Sequence, residues 1–276
     1  MEQIIFIMWR ESIEALLLIS IIYAWIKRQP DAKNGIKYLW YGVVLGIIFS
    51  IILAMAIYGL FNFLDDTSQS IFMIIMEITA CCLIVQMVYW MKKNGSSMKN
   101  NVETDLTEKS KDNSWFGISL IVAISITREG SELVVFLSSF IMSLNMTTIF
   151  DFISSLSLGS LAAIITIYLF SRLNHYIPWK LFFNTTSVIL LFIALSLLIK
   201  GIDGLANLLL EFDFNIPNEL FYPIWNTSGF IDDSGIIGSL LSSFFAYRSQ
   251  PIVLNAITLI IYWTSIIHLF LLRKKS

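Results

Sequence analysis

Two copies of one charged motif lie within apolar sequence, where charged side chains are costly. The copies are Arg10-Glu11-Ser12-Ile13-Glu14 and Arg128-Glu129-Gly130-Ser131-Glu132, so both follow the pattern R-E-x-x-E. Glutamates three residues apart lie on one face of a helix, close enough for both carboxylates to bind one ligand. Ionisable residues inside a membrane span are candidates for function, and six of them in two matched triplets indicate a binding site.

Carboxylate oxygens determine which ligand such a site would bind. They are hard donors that suit Fe³⁺, Ca²⁺, Mg²⁺ and Mn²⁺, and neither motif has an adjacent His or Cys for a softer metal. Four ionised carboxylates in a low dielectric repel one another unless a proton or a cation intervenes. Arg10 and Arg128 would reduce that charge without competing as ligands, because a guanidinium group only donates hydrogen bonds. We therefore predict a metal-ion site with arginine support and the ligands Glu11, Glu14, Glu129 and Glu132.

The composition indicates the membrane helices that must position these residues. Hydrophobic residues make up 57% of the 276-residue chain, charged residues 14%, and the mean hydropathy is +0.75. A soluble domain is about half apolar and about a quarter charged. We predict an all-α polytopic membrane protein with seven transmembrane helices, because seven apolar runs reach the roughly 20 residues that a span requires. The runs are 4–26, 38–61, 71–91, 115–141, 152–171, 181–199 and 251–271.

Basic residues are concentrated in alternate loops. Of the 18 lysines and arginines, 14 lie in the loops after the first, third and fifth runs and in the C-terminal tail. Because cytoplasmic loops carry the excess of Lys and Arg, we expect a multi-pass protein of the cytoplasmic membrane with its N-terminus outside and its C-terminus inside. The polar stretch 94–113 is then cytoplasmic, and the acid-biased loops face outward.

The repeated motif also predicts internal symmetry. Arg10 and Arg128 are 118 residues apart, and the first and fourth spans would run in opposite directions. We expect a single transmembrane domain, 1–276, built from inverted repeats at about 1–91 and 115–199. An outer loop, 200–250, and a last helix, 251–271, would complete it. Substrate sites between inverted repeats are a recurring transporter plan.

Depth in the membrane groups the motif acids in one layer. At 1.5 Å per residue, Glu11 and Glu14 would lie about 10 and 15 Å below the outer end of the first span. Glu132 and Glu129 would lie about 13 and 18 Å below the outer end of the fourth. Glu77, about 9 Å from the outer end of the third, is a fifth candidate ligand. An alternative for Glu77 is a structural ion pair with an arginine.

The chain resembles the oxidase-dependent, high-affinity iron permease family. Members have seven spans with R-E-x-x-E in the first and fourth, and the second copy here has the family's R-E-G-x-E form. The family often has Asp where this chain has Asn226. Further matching segments are Glu77, Tyr89-Trp90-Met91, Phe182-Phe183, Leu190-Leu191, Gly201, Trp225-Asn226-Thr227-Ser228, Asp232-Asp233-Ser234, Ala246-Tyr247 and Pro251.

The resemblance implies a permease that imports iron, in the ferric state, as the transported substrate. The motif glutamates would bind the ion and the arginines would support the site. Extracytoplasmic iron-binding or iron-oxidising proteins would be its partners, in addition to the lipid bilayer. No permanently bound cofactor, no enzymatic activity and no nucleic-acid partner are expected.

Several alternatives remain open on the residues alone. The charged motifs could be ion pairs that only hold helices together, or a proton relay without metal. The protein could be a proton-coupled transporter of another metal or of an organic cation. An intramembrane metal oxidase fits less well, because such sites in helix bundles use Glu-x-x-His pairs and the chain has none.

Overall fold

The computed structural model describes residues 2–29, 31–94, 115–145, 147–172, 179–214, 217–233 and 235–271. Within these ranges the chain is helical and has no strand, which confirms the all-α prediction; a single bridge joins Pro223 to Ile252. The helices are α1 (Glu2–Ile26), α2 (Ala32–Phe63), α3 (Asp66–Asn94), α4 (Trp115–Phe136), α5 (Ser138–Met142), α6 (Ile149–Arg172), α7 (Trp179–Glu211), α8 (Ile236–Phe245) and α9 (Val253–Leu271), with a 3₁₀ turn at Asn218–Phe221.

Five of these helices, α2, α3, α6, α7 and α9, are long and apolar enough to cross a membrane. The 25 residues of α1 and the 22 of α4 would also suffice in length. Each of these two carries the three charged residues of a motif, so composition alone does not mark them as spans. The protein is a multi-pass membrane protein, and the count of seven spans stays a prediction.

Two helix ends differ from the predicted apolar runs. The fourth run, 115–141, breaks at Leu137 into α4 and α5. The sixth run was predicted to end at 199, but α7 continues to Glu211. The chain leaves the helix at Asp213, where φ is 57°, and the backbone N–H groups of Asp213 and Phe214 bond to the carbonyls of Leu210 and Leu209. That pattern is a Schellman cap. The segment predicted as an outer loop, 200–250, therefore begins with further helical turns.

The chain forms two compact units. Unit 1 comprises Met1, 3–63 and 90–182, and so contains α1, α2, α4, α5 and α6. Unit 2 comprises Glu2, 64–89 and 183–276, and so contains most of α3 together with α7, α8 and α9. Each unit takes helices from both halves of the predicted repeat. The domain boundaries and the inverted repeat stay predictions.

Unit 1 is organised around close contacts made by glycines. Gly42 and Gly46 of α2 face α4: a Cβ at Gly42 would lie 2.5 Å from the Ser119 carbonyl oxygen, and one at Gly46 would lie 2.6 Å from the Cβ of Ile126. Small residues let the backbones of membrane helices approach closely. Beside them, α1, α2 and α4 share a buried apolar core, formed by Leu18, Ile22, Trp25, Ile26, Leu39, Val43, Ile118, Val122 and Ile126.

Unit 2 contains the segment predicted as an outer loop, together with its short helix α8. Helix α8 begins after Gly235 with no side-chain cap, although Asp233 lies just before it. Asp233 instead accepts hydrogen bonds from the backbone N–H and the hydroxyl of Ser249, at 2.9 and 3.0 Å. Asp233 therefore fixes the chain that leads into α9. Ser234, His175, the basic tail 273–275 and most of the polar stretch 94–113 lie outside the described residues.

Candidate metal-ion site

The two motifs bring three carboxylates together in unit 1. Oxygen atoms of Glu11 and Glu14 of α1 and of Glu129 of α4 all lie within 4.8 Å of one another. Glu11 is buried, and the other two are partly buried. Residues 118 positions apart in sequence thus form one cluster of oxygen donors, as the matched motifs predict. Whether these residues bind a metal ion stays a prediction.

Arg10 is enclosed by the glutamates of its own motif. Its side chain is 2% exposed. Nη1 donates to Glu11 Oε1 at 2.7 Å, Nη2 lies 2.5 Å from Glu14 Oε1, and Nη2 is also 2.8 Å from Met91 Sδ. A rigid, planar guanidinium group that contacts two carboxylates fixes their positions relative to each other. Arg10 therefore orients Glu11 and Glu14 as well as reducing their charge.

Arg128 has a different environment, although it occupies the same position in its motif. Its side chain is 54% exposed, and Nε donates to Glu132 Oε1 at 3.0 Å. Its guanidinium carbon lies 5.4 Å from the centre of the Trp90 ring, within the range of a cation–π contact. Glu132, the fourth predicted ligand, is held by this arginine and is not part of the three-carboxylate cluster.

Three buried carboxylate oxygens of the site have no hydrogen-bond donor within the described part of the chain. They are Glu11 Oε2, Glu132 Oε2 and Glu14 Oε1, and the last of these has only its ion pair with Arg10. An ionised carboxylate only accepts, and burying such an oxygen without a partner is costly. The four glutamates and two arginines carry a formal charge of −2, so a proton or a cation would compensate both the charge and the missing donors. The arrangement can therefore take up a cation through oxygens alone.

Neighbouring helices fix the position of the second motif. A Cβ at Gly130 would overlap the side chain of Ser50 on α2, so this motif lies directly against α2. Ser50 Oγ in turn donates to the Gly46 carbonyl at 2.9 Å. Helix α6 likewise contacts α1, which carries the first motif: Trp9 Nε1 donates to Thr166 Oγ1 at 3.0 Å.

Glu77, the fifth predicted ligand, belongs to unit 2. Its side chain is buried in α3, and Oε2 lies 3.7 Å from the position that a Cβ on Gly201 of α7 would take. Its charged neighbours are Lys200 and Asp203. The sequence suggested an arginine as its structural partner, whereas the neighbouring cation in its own unit is a lysine.

Sequence reasoning missed the residues that surround the arginines and Glu77. Met91 contacts Arg10 and Trp90 contacts Arg128, and neither residue was assigned a role at the site from the sequence. The Tyr89-Trp90-Met91 segment of the family resemblance was the signal that could have identified them. Lys200 was interpreted as a loop residue because a charge ended the apolar run.

Comparison with known proteins decides the family. The profile of the Iron permease FTR1 family matches residues 1–273. The chain belongs to this family. The resemblance inferred from the two motifs is thereby confirmed. Proteins of the iron permease family are transporters, so this member is a permease and not an enzyme.

Individual relatives of this family member are distant but match over most of their length. A protein of Archaeoglobus fulgidus described as uncharacterized is 29% identical over 247 residues, covering 87% of this chain and 84% of its own. A protein of Yersinia pestis named ferrous iron permease EfeU is 25% identical over 281 residues, with 98% and 93% covered. The EfeU of Escherichia coli strain 536 is 25% identical over 282 residues, with 98% and 95% covered. No solved structure matches the chain.

Proposed function

We propose that this permease imports iron across the cytoplasmic membrane through the carboxylate cluster of unit 1. One observation carries the proposal: oxygens of Glu11, Glu14 and Glu129, contributed by both R-E-x-x-E motifs, lie within 4.8 Å of one another. Iron is a transported substrate in this account, and the family membership supports that choice of ion. Glu132 would join as the fourth carboxylate, and Glu77 stays a predicted ligand or entry residue in unit 2.

The two oxygens of Glu11 have different roles in the proposed site. Arg10 binds Oε1, whereas Oε2 is buried without a donor. An iron ion could therefore bind through Oε2 without displacing the guanidinium group. Arg10 would hold Glu11 and Glu14 in position when no ion is present, and its positive charge would lower the repulsion among the three clustered carboxylates. The ion would replace water ligands by carboxylate oxygens on entry.

An oxygen-only donor set suits a hard ion such as ferric iron, the state that the family resemblance implies. The Yersinia pestis and Escherichia coli relatives are named for ferrous iron. We propose the ferric ion because none of the carboxylates is accompanied by an imidazole or thiolate in its motif. Extracytoplasmic iron-binding or iron-oxidising proteins would supply the ion in that state.

Equivalent contacts in unit 1 support the inverted repeat. A Cβ at Gly46 of α2 would meet the Ala123 carbonyl oxygen and Ile126, whereas a Cβ at Gly159 of α6 would meet the Ile5 carbonyl oxygen and Met8. Ala123 and Ile5 differ by 118 positions, as do Ile126 and Met8, and this is also the separation of Arg128 and Arg10. The second span of each predicted half thus contacts the first span of the other half at matching positions. We propose seven spans on this plan, with the N-terminus outside.

Uptake by purified protein tests the function. Radioactive iron would be supplied outside proteoliposomes, either as a ferric chelate or as ferrous iron under reductant. The proteoliposomes would contain the wild type or one of the variants Glu11→Gln, Glu14→Gln, Glu129→Gln and Glu132→Gln. We expect uptake of ferric iron by the wild type and a strong loss in each variant, because glutamine keeps the size of glutamate without its charge. Exposed Glu219 provides the control, Glu219→Gln. Uptake by all four motif variants at the wild-type rate would refute the site, and uptake of ferrous iron alone would refute the valence.

A further inference from the structure

A second group of oxygen atoms lies in unit 2, in a cleft of about 300 Å³ beside the C-terminal part of α7. The cleft is formed by α7, by the segment of the chain between α7 and α9, and by the start of α9. Its polar lining residues are Asp203, Asn207, Asp233, Arg248, Gln250 and Asn255. Asp203 and Asn255 belong neither to the R-E-x-x-E motifs nor to the segments that carry the family resemblance.

Two buried oxygens in this cleft have no hydrogen-bond donor among the described residues. They are Asp203 Oδ1 and Asn255 Oδ1. Asn255 is only 8% exposed. Both atoms are acceptors, so neither can satisfy the other. Burying a polar atom without a partner is unfavourable, which indicates that a donor or a cation completes the group.

The other charged residues of the cleft do not supply that partner. Asp233 accepts hydrogen bonds from Ser249. Arg248 Nη2 lies 3.6 Å from Asp203 Oδ2, which is an ion pair too long for a hydrogen bond, and it leaves Oδ1 unpaired. Asp203, Asp233 and Arg248 together carry a formal charge of −1. The cleft therefore has oxygen acceptors and a negative charge to offer a ligand.

We propose that this cleft binds a hard divalent cation, with Asp203 Oδ1 and Asn255 Oδ1 as its protein ligands. A carboxylate and an amide carbonyl are the oxygen ligands that such cations take, and water completes their coordination. Asp233 contributes charge while it holds Ser249. The site is distinct from the carboxylate cluster of unit 1, and it does not depend on the proposed path of iron.

Binding of Mn²⁺ to the purified, full-length protein in detergent tests this site, because bound Mn²⁺ loses the electron paramagnetic resonance signal of the free ion. The measurement uses the wild type and a background with Glu11→Gln and Glu129→Gln, so that the motif cluster does not contribute. We expect Asp203→Asn and Asn255→Leu each to weaken Mn²⁺ binding by about tenfold or more. Asn255→Asp should strengthen it, because a carboxylate replaces a neutral ligand of similar shape.

Two control variants match these changes. Glu211→Gln removes an exposed acid from the same helix, and Asn218→Asp adds an exposed acid to the same unit. Neither should alter the affinity for Mn²⁺. Asp203→Asn also removes the ion-pair partner of Arg248, so the melting temperature of each variant is measured without metal to detect a loss of stability. If Asp203→Asn does not fold, the Mn²⁺ affinity of Asn255→Asp decides the test. Unchanged affinity in Asn255→Asp and Asn255→Leu would overturn the proposal and would indicate a protonated Asp203 that donates a hydrogen bond to Asn255.

Discussion

Arg10 and Arg128 occupy equivalent positions in their motifs but differ in burial and in the number of their partners. Arg10 is enclosed and contacts two carboxylates, whereas Arg128 is half exposed and pairs with Glu132. We expect Arg10→Lys to abolish most iron uptake and to lower the melting temperature, because an ammonium group cannot reproduce two planar contacts. Arg10→Met would leave Glu11 and Glu14 unpaired at a cost of about 3–5 kcal/mol. Arg128→Lys should retain a substantial share of uptake, and equal losses in the two lysine variants would contradict this asymmetry.

Glu77 and Lys200 provide a second residue-level test, within unit 2, because they are neighbours of opposite charge and Glu77 is buried. Removing one of two such charges leaves the other less compensated. We therefore expect Glu77→Gln and Lys200→Met each to lower the melting temperature. The double variant should lose less in melting temperature than the sum of the two single losses. Iron uptake separates the roles: if Glu77 is also a ligand, Glu77→Gln reduces uptake even when Lys200 is already Met. Full uptake by the double variant would leave Glu77 a structural role only.

At the residue scale, the sequence predicted which motif acids would come together better than it predicted their neighbours. The types and spacing of the motif residues predicted that Glu11, Glu14, Glu129 and Glu132 would share one site, since helix periodicity and membrane depth follow from local sequence, and the first three lie together. It did not predict Met91 beside Arg10 or Lys200 beside Glu77, because tertiary packing determines which polar groups of different helices meet.

The helices of unit 1 depend on glycines at their contacts. Gly46 of α2 has no room for a methyl group against Ile126, whereas Gly59 of the same helix has no atom within 4 Å. We expect Gly46→Ala to destabilise the protein by about 1–3 kcal/mol through overpacking. Gly59→Ala should cause no loss, because alanine favours the helix and meets open space. Thermal unfolding of the two variants measures the difference, and equal melting temperatures would argue against close packing of α2 on α4.

Helix positions could be predicted from apolar runs, but helix ends could not. All seven runs correspond to helices. The predicted apolar run of α7 ended before the charged residue Lys200. Helical hydrogen bonding nevertheless continues past Lys200 and Asp203 as far as Asp213, which has a left-handed backbone conformation. Charged residues do not end a helix when the fold gives them partners. The end of α7 matters for function, since Asp203 would otherwise not be placed in the cleft of unit 2.

The orientation of the whole molecule rests on the distribution of basic residues. We expect a cysteine at position 66 to react with an impermeant maleimide in intact cells and a cysteine at position 33 to stay protected until the membrane is opened. The variants Asp66→Cys and Lys33→Cys would be made with Cys81 and Cys82 replaced by alanine, and both positions are exposed on the protein. The reverse labelling pattern would invert the topology and the predicted depth of the motif acids.

The family, the helical fold and the membrane location of the whole molecule could be predicted from the sequence. The division into two compact units could not, because it depends on which helices pack together and not on their order in the chain. Unit 1 contains both motifs but excludes most of α3, although α3 belongs to the first predicted repeat. Equivalent glycine contacts become visible only once the helices are placed.

The central claim is that both motifs bind one shared iron ion. Equilibrium binding of iron to the purified protein tests it most directly, with the wild type, Glu11→Gln, Glu129→Gln, their double variant and Glu219→Gln as the control. If the ion is shared, each single variant loses the same tightly bound iron, and the double variant loses nothing further. If each motif bound its own ion, the single variants would each keep part of the bound iron and the losses would add, which would contradict the account.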